Sequence, residues 1–140
     1  MVSAKIITDF DLCTGCALCQ LECSMQTEGG YNPRLAKLKL HQGPKGLFTE
    51  PVVCNQCQNA YCEKVCPADA FERDNKWGIP LINKEKCIGC ALCMSYCPRE
   101  VIVLLNKKAA KCNLCDGNPA CVKRCPTGAL KYWDGGELND

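Results

Sequence analysis

Cys87-Ile88-Gly89-Cys90-Ala91-Leu92-Cys93-Met94-Ser95-Tyr96-Cys97-Pro98 places four cysteines at the spacing C-x2-C-x2-C-x3-C and closes them with proline. Three further runs repeat the plan. Cys13, Cys16, Cys19 and Cys23 keep the same gaps but are followed by Ser24. Cys54, Cys57, Cys62 and Cys66 widen the second gap to four residues before Pro67, and Cys112, Cys115, Cys121 and Cys125 widen it to five before Pro126. All 16 cysteines of the 140 residues fall into these sets, and the cysteine fraction exceeds the roughly 8–10 per cent that marks a cysteine-built scaffold. Aromatic core builders are scarce, with three Phe, two Trp and four Tyr. Part of the interior therefore has to be supplied by disulfides or by metal.

The spacing decides between them. C-x2-C-x2-C-x3-C-P is the run in which three thiolates hold one [4Fe-4S] cube and the fourth reaches a second cube. Two-residue gaps let one loop wrap three iron corners with its amides turned toward the sulfides. The x3 step and the proline carry the fourth cysteine onto a short helical turn leading away. Wider second gaps enlarge the loop without moving the outer ligands. Disulfides fit poorly, because no secretory signal is present and cysteines two residues apart are poor partners. Structural zinc, the non-redox alternative, usually pairs one C-x2-C with another distant in sequence. Haem attachment needs histidine after C-x-x-C, where this chain has Ala17, Gln58, Ala91 and Asp116.

Between the sets the pattern is α+β: two ferredoxin-like modules in one compact chain, with short β-hairpins and short helical turns around four [4Fe-4S] clusters. Ala4–Thr8 reads as an opening strand. Phe71–Arg73 and Gly78–Ile82 read as a hairpin, as do Val101–Leu105 and Ala109–Lys111, and Leu130–Trp133 as a closing strand. Lys37–Gln42, turning at Gly43, Pro44 and Gly46, reads as the first arm of another hairpin. The whole of 1–140 is then a single polyferredoxin domain. Its inner module spans about 50–100, its outer split module about 1–33 plus 101–135, and a hairpin insertion about 34–49. Sets two and three, 20 residues apart, reproduce a two-cluster ferredoxin and should exchange ligands. On that rule Cys54, Cys57, Cys62 and Cys97 hold one cube, and Cys87, Cys90, Cys93 and Cys66 its neighbour. Sets one and four pair likewise: Cys13, Cys16, Cys19 and Cys125 on one cube, Cys112, Cys115, Cys121 and Cys23 on the other. Pairing set one with two and three with four is the alternative.

The chain resembles the four-cluster ferredoxin-type electron-transfer subunits that accompany dimethyl sulfoxide reductases, formate dehydrogenases, carbon monoxide dehydrogenase and tungsten aldehyde oxidoreductases. All four cysteine sets match. Glu28-Gly29-Gly30-Tyr31-Asn32-Pro33-Arg34 is similar to the E-G-x-x-N-P segment of members serving the last two. The resemblance implies a non-catalytic relay of single electrons. Its partner would be a tungsten- or molybdenum-containing catalytic subunit, most of all one of the aldehyde oxidoreductase type. An external carrier, a flavin subunit or a ferredoxin would lie at the far end. A free polyferredoxin, a partner of hydrogenase, and self-association into a longer conductor are the competing readings.

Charge and composition narrow the field further. Seventeen basic and fifteen acidic side chains leave +2, too little for a nucleic-acid surface. Four oxidised cubes with their thiolates would add about -8, which favours low potentials within the range of about -700 to +450 mV. No apolar run approaches a membrane span, and no export signal is evident, so a cytoplasmic location is expected. Gly-rich phosphate loops are missing and every cysteine is spoken for, so no catalytic residue is assigned. His41 reads as a solvated edge residue and Met25 and Met94 as packing. Lys107, Lys108 and Lys111 read as a solvated hairpin, and Leu35, Leu38, Leu40, Leu47 and Phe48 as an apolar docking hairpin.

Overall fold

The structure, a computed structural model, describes residues 4–43, 46, 48–134 and 136, and the backbone of Leu138 and Asn139. Nine short strands and four short helices surround the cysteine loops among these residues. Strand β1 (Lys5–Thr8) pairs antiparallel with β8 (Leu130–Trp133), so the two ends of the chain close on each other. Its register sets Ile6 against Tyr132, both buried. Strand β9 (Leu138–Asn139) adds to the far edge of β8. Three separate hairpins follow the order of the sequence: β2 (Lys39–Gln42) with β3 (Thr49–Val52), β4 (Phe71–Arg73) with β5 (Pro80–Ile82), and β6 (Val103–Leu105) with β7 (Lys108–Ala110).

Proline decides where the helices stop. Helices α2 (Tyr61–Lys64), α3 (Leu92–Tyr96) and α4 (Ala120–Arg124) each end just before the last cysteine of their set, because Pro67, Pro98 and Pro126 exclude the helical conformation from the residue ahead of them. Ser24 imposes no such stop. Helix α1 therefore runs from Leu18 to Glu28, far longer than a single helical turn, and ends at Gly29, whose φ of 75° suits a left-handed cap.

Two apolar groups organise the interior. One joins Ile6, Leu38, Val53, Ile79, Leu114, Val122, Leu130 and Tyr132 with Cys19, Cys23 and Cys121; the other joins Phe71, Ile102 and Ala109 with Cys87 and Cys93. The expected docking hairpin is largely turned inward. Leu38 is buried, Leu35 and Leu40 are half-buried, and only Phe48 is exposed, its ring 6.0 Å from that of Phe10. Leu47 and Pro44 lie outside the described residues. His41 is exposed on β2, and Met94 packs against the second apolar group, whereas Met25 points to solvent from α1.

Candidate metal centres

Sets one and three share a local sequence, C-x-G-C-A-L-C, and they share a backbone. Gly15 and Gly89 have φ of 76° and 75°, and Ala17 and Ala91 have φ of 63° and 65°. Alternating left-handed residues curl the loop so that its thiols face one side, and glycine makes the first of these turns at no steric cost. Gly89 has a second reason to be glycine: a Cβ there would strike the carbonyl oxygen of Lys107. Sets two and four form a second pair. Gln56 and Leu114, each with positive φ and each fully buried, donate their amides to Cys54 Sγ and Cys112 Sγ, both at 3.4 Å.

The loops bring the cysteines together in fours around separate cavities. Cys13, Cys16, Cys19 and Cys125 line one, with Leu40 and Pro51 over it. Cys23, Cys112, Cys115 and Cys121 line a second. A third is lined by Cys54, Cys57, Cys62 and Cys97, and a fourth by Cys66, Cys87, Cys90 and Cys93. In each, three thiols come from one set and one from the end of another. Only Cys16 and Cys90 are exposed. Among the described residues no three or more such donors converge on one ion; the thiols bound a space. Thiolate donors around an extended space fit a [4Fe-4S] cube, and the amides directed at sulfur fit the hydrogen bonding that such clusters use. Besides Gln56 and Leu114, the amides of Lys37, Ala70 and Ala109 donate to Cys23, Cys66 and Cys87 at 3.2, 3.3 and 3.4 Å.

Electrostatics links the first cavity to the second and the second to the third. Burial pushes the Cys19 and Cys62 thiols up to about 11 and Cys112 to about 12. Burial also raises Cys23, Cys93 and Cys121. Cys125 moves the other way: burial opposes the shift, but hydrogen bonding to Thr127 and to the amides of Ala129 and Leu130 lowers it. Across cavities, Cys19 acts on Cys121 and Cys54 acts on Cys112, so the first and second cavities and the second and third are close neighbours.

Two lysines are buried, and one of them, Lys111, reads from the sequence as solvated. Lys37 is buried; its ammonium donates to Glu28 Oε1 at 2.7 Å, Thr27 Oγ1 at 3.0 Å and the Leu35 carbonyl at 2.9 Å. Lys111 is buried as well, not solvated, and donates to Gln56 Oε1, the Pro80 carbonyl and the Cys112 carbonyl. Lys108, although part of the β6–β7 hairpin, donates to the Cys87 carbonyl. Trp77 closes the loop of the fourth set, where a Cβ on Gly117 would collide with its ring.

Comparison with known proteins agrees with this chemistry. Residues 46–134 match the 4Fe-4S dicluster domain, and residues 10–26 match a 4Fe-4S binding domain. The chain belongs to the 4Fe-4S dicluster family of iron–sulfur proteins. It is 37% identical over 117 residues to the polyferredoxin-like subunit of an aliphatic sulfonate oxidoreductase of Pyrococcus furiosus, covering 82% of this chain and 67% of that protein. A ferredoxin of Methanocaldococcus jannaschii is 40% identical over 140 residues, 99% of this chain and 77% of its own. The thiosulfate reductase electron transfer subunit PhsB of Salmonella typhi is 33% identical over 142 residues, 91% of this chain and 73% of its own. Among solved structures, the active site complex BamBC of benzoyl coenzyme A reductase superposes with a TM-score of 0.56 at 22% identity, covering 100% of this chain and 83% of that one, a likeness of fold. The protein is thus an iron–sulfur electron-transfer subunit of the kind found in oxidoreductase complexes.

Proposed function

We propose that the chain carries four [4Fe-4S] clusters in series and passes single electrons between a tungsten- or molybdenum-containing catalytic subunit and an external carrier in the cytoplasm. The grouping of the cysteines into four cavities, each with three thiols from one set and one from another, carries this reading. Cys13, Cys16, Cys19 and Cys125 would hold the first cluster, and Cys23, Cys112, Cys115 and Cys121 the second. Cys54, Cys57, Cys62 and Cys97 would hold the third, and Cys66, Cys87, Cys90 and Cys93 the fourth. The third and fourth form an inner module over about 50–100. The first and second form an outer module from about 1–33 and 101–135, with the hairpin of about 34–49 set into the chain between the modules.

When bound, the clusters supply reversible one-electron chemistry, and the chain supplies position and field. Its amides offset negative charge on the cysteine sulfurs, and its apolar groups keep water from the middle of the series. The exposed Cys16 and Cys90 lie in the first and fourth cavities, so electrons would enter and leave at opposite ends. Among the described residues no helix is long and apolar enough to cross a membrane. The test is anaerobic isolation from the native source, with iron and sulfide counted and tungsten and molybdenum assayed in whatever co-purifies. About four iron per cysteine set, together with a tungsten or molybdenum protein, is the expected result. Iron at that ratio without a companion would make the chain a free polyferredoxin.

A further inference from the structure

Lys111 stands where the inner and outer modules meet. It lines the cavity of Cys54, Cys57, Cys62 and Cys97, and its neighbour Cys112 belongs to the cavity of Cys23, Cys115 and Cys121. Its side chain lies against both, lining the first of these cavities and placing Nζ 2.8 Å from the backbone carbonyl of Cys112 in the second. The Nζ donates to three acceptors, at 2.8 Å to Gln56 Oε1, 2.7 Å to the Pro80 carbonyl and 2.8 Å to the Cys112 carbonyl. Three acceptors require three N–H donors, which only the ammonium form provides. All three are neutral. Lys37 is built differently: one of its three acceptors is the Glu28 carboxylate, which offsets its charge on the spot.

A buried charge costs free energy to hold unless something answers it. Gln56 is itself anchored, its Nε2 donating to the Cys112 carbonyl at 3.0 Å, so the side chain cannot swing Lys111 out without losing that bond. The groups that answer the charge are the two flanking sets of four thiolates. An electron arriving on either cluster adds one negative charge beside the ammonium in a medium of low dielectric, where the attraction is much stronger than in water. The electron comes from the adjacent cluster, which is oxidised as its neighbour is reduced, and no proton need move.

We propose that Lys111 is a fixed positive charge at the crossing between the second and third clusters that raises the reduction potential of both relative to the first and fourth. This rests on the four-cluster reading above. Electrons then pool at the centre of the series and leave toward whichever end is oxidised. Lys111 is a positioning residue acting through charge.

The test is anaerobic redox titration followed by electron paramagnetic resonance on the intact protein, Lys111→Met and Gln56→Glu, with iron and sulfide counted in each. Gln56→Glu keeps an acceptor for Lys111 while neutralising its charge, so it answers the question if Lys111→Met fails to load. In both variants two of the four couples should become harder to reduce, with the reduced-to-oxidised ratio at fixed potential falling at least tenfold, about 59 mV for one electron. The other two should hold, and Lys111→Arg should restore the first two. Unchanged couples in a fully loaded variant, or an equal fall in all four, overturns the proposal. Fewer than four couples in the unsubstituted protein would instead overturn the four-cluster reading.

Discussion

Lys37 grips Cys23 and the helix that carries it from two sides. Its backbone amide donates to Cys23 Sγ at 3.2 Å, while its ammonium is paired at 2.7 Å with Glu28 at the end of α1. At that end of the eleven-residue α1, Gly29 donates to the Met25 carbonyl and Ser24 Oγ accepts from the Asn32 amide at 3.0 Å, and the Lys37–Glu28 pair adds an ionic tie. Lys37→Met keeps the amide and removes the ammonium. It leaves Thr27 Oγ1, the Leu35 carbonyl and a half-buried carboxylate without their donor, a loss of about 2–3 kcal/mol. The expected result is a lower guanidinium midpoint, followed by bleaching of the cluster absorption, with the iron content of the folded protein unchanged.

The crossed grouping of cysteines around the cavities makes a sharper prediction about iron. Cys66 lines the cavity of Cys87, Cys90 and Cys93, and not that of its own set. Cys66→Ala and Cys87→Ala should therefore each cost about four iron, and the double variant should cost the same four, because both remove one cluster. Combining Cys66→Ala with Cys57→Ala should cost about eight. Iron analysis showing the opposite pattern would return each set to its own cluster.

Much of this was legible before any fold was drawn. Four cysteine sets name the cofactor, and short helical turns do occupy the x3 steps, although they end ahead of the fourth cysteine instead of carrying it, because the following proline excludes that conformation. The closing strand at Leu130–Trp133 has the observed bounds, since L-K-Y-W alternates cleanly. The length of α1 was hidden because the missing proline at Ser24 reads only as a departure from the repeat. The buried lysines were hidden for a different reason. In Lys37-Leu38-Lys39-Leu40 the alternation puts Lys37 on a solvent face, and only Glu28 and Thr27, on a helix nine and ten residues earlier, explain its burial. Lys111 meets Gln56, 55 residues away, a pairing that no local pattern announces.

Gly89→Ala tests the contact between the third loop and the β6–β7 turn. The φ of 75° strains any side chain, and the added Cβ would strike the Lys107 carbonyl, which is backbone and cannot swing aside. A cost of about 2 kcal/mol or more is expected, with the cluster nearest Cys90 lost first under oxygen. Gly29→Ala, where nothing stands within 4 Å of the added Cβ, carries only the conformational cost and should keep every cluster.

Protons must leave for iron to enter. Burial holds Cys19 and Cys62 near 11 and Cys112 near 12 in the metal-free fold, so at neutral pH all three are thiols, whereas iron binds thiolate. Because these values are raised, the unfolded chain loses its thiol protons first as pH climbs past its ordinary value near 9. In the folded arrangement these raised values favour the protonated thiols below that pH, a contribution lost as pH rises through 11 to 12, but on its own it does not hold the chain folded without iron. The loaded protein has the opposite dependence, because acid returns protons to the ligands and competes with iron. Stripping by a chelator should therefore speed up as pH falls from 9 to 6. Complete stripping should also collapse the far-ultraviolet circular dichroism, since the apolar groups that remain are built around the cysteines themselves. Near-native dichroism after full iron removal would show that the chain, not its clusters, holds the fold.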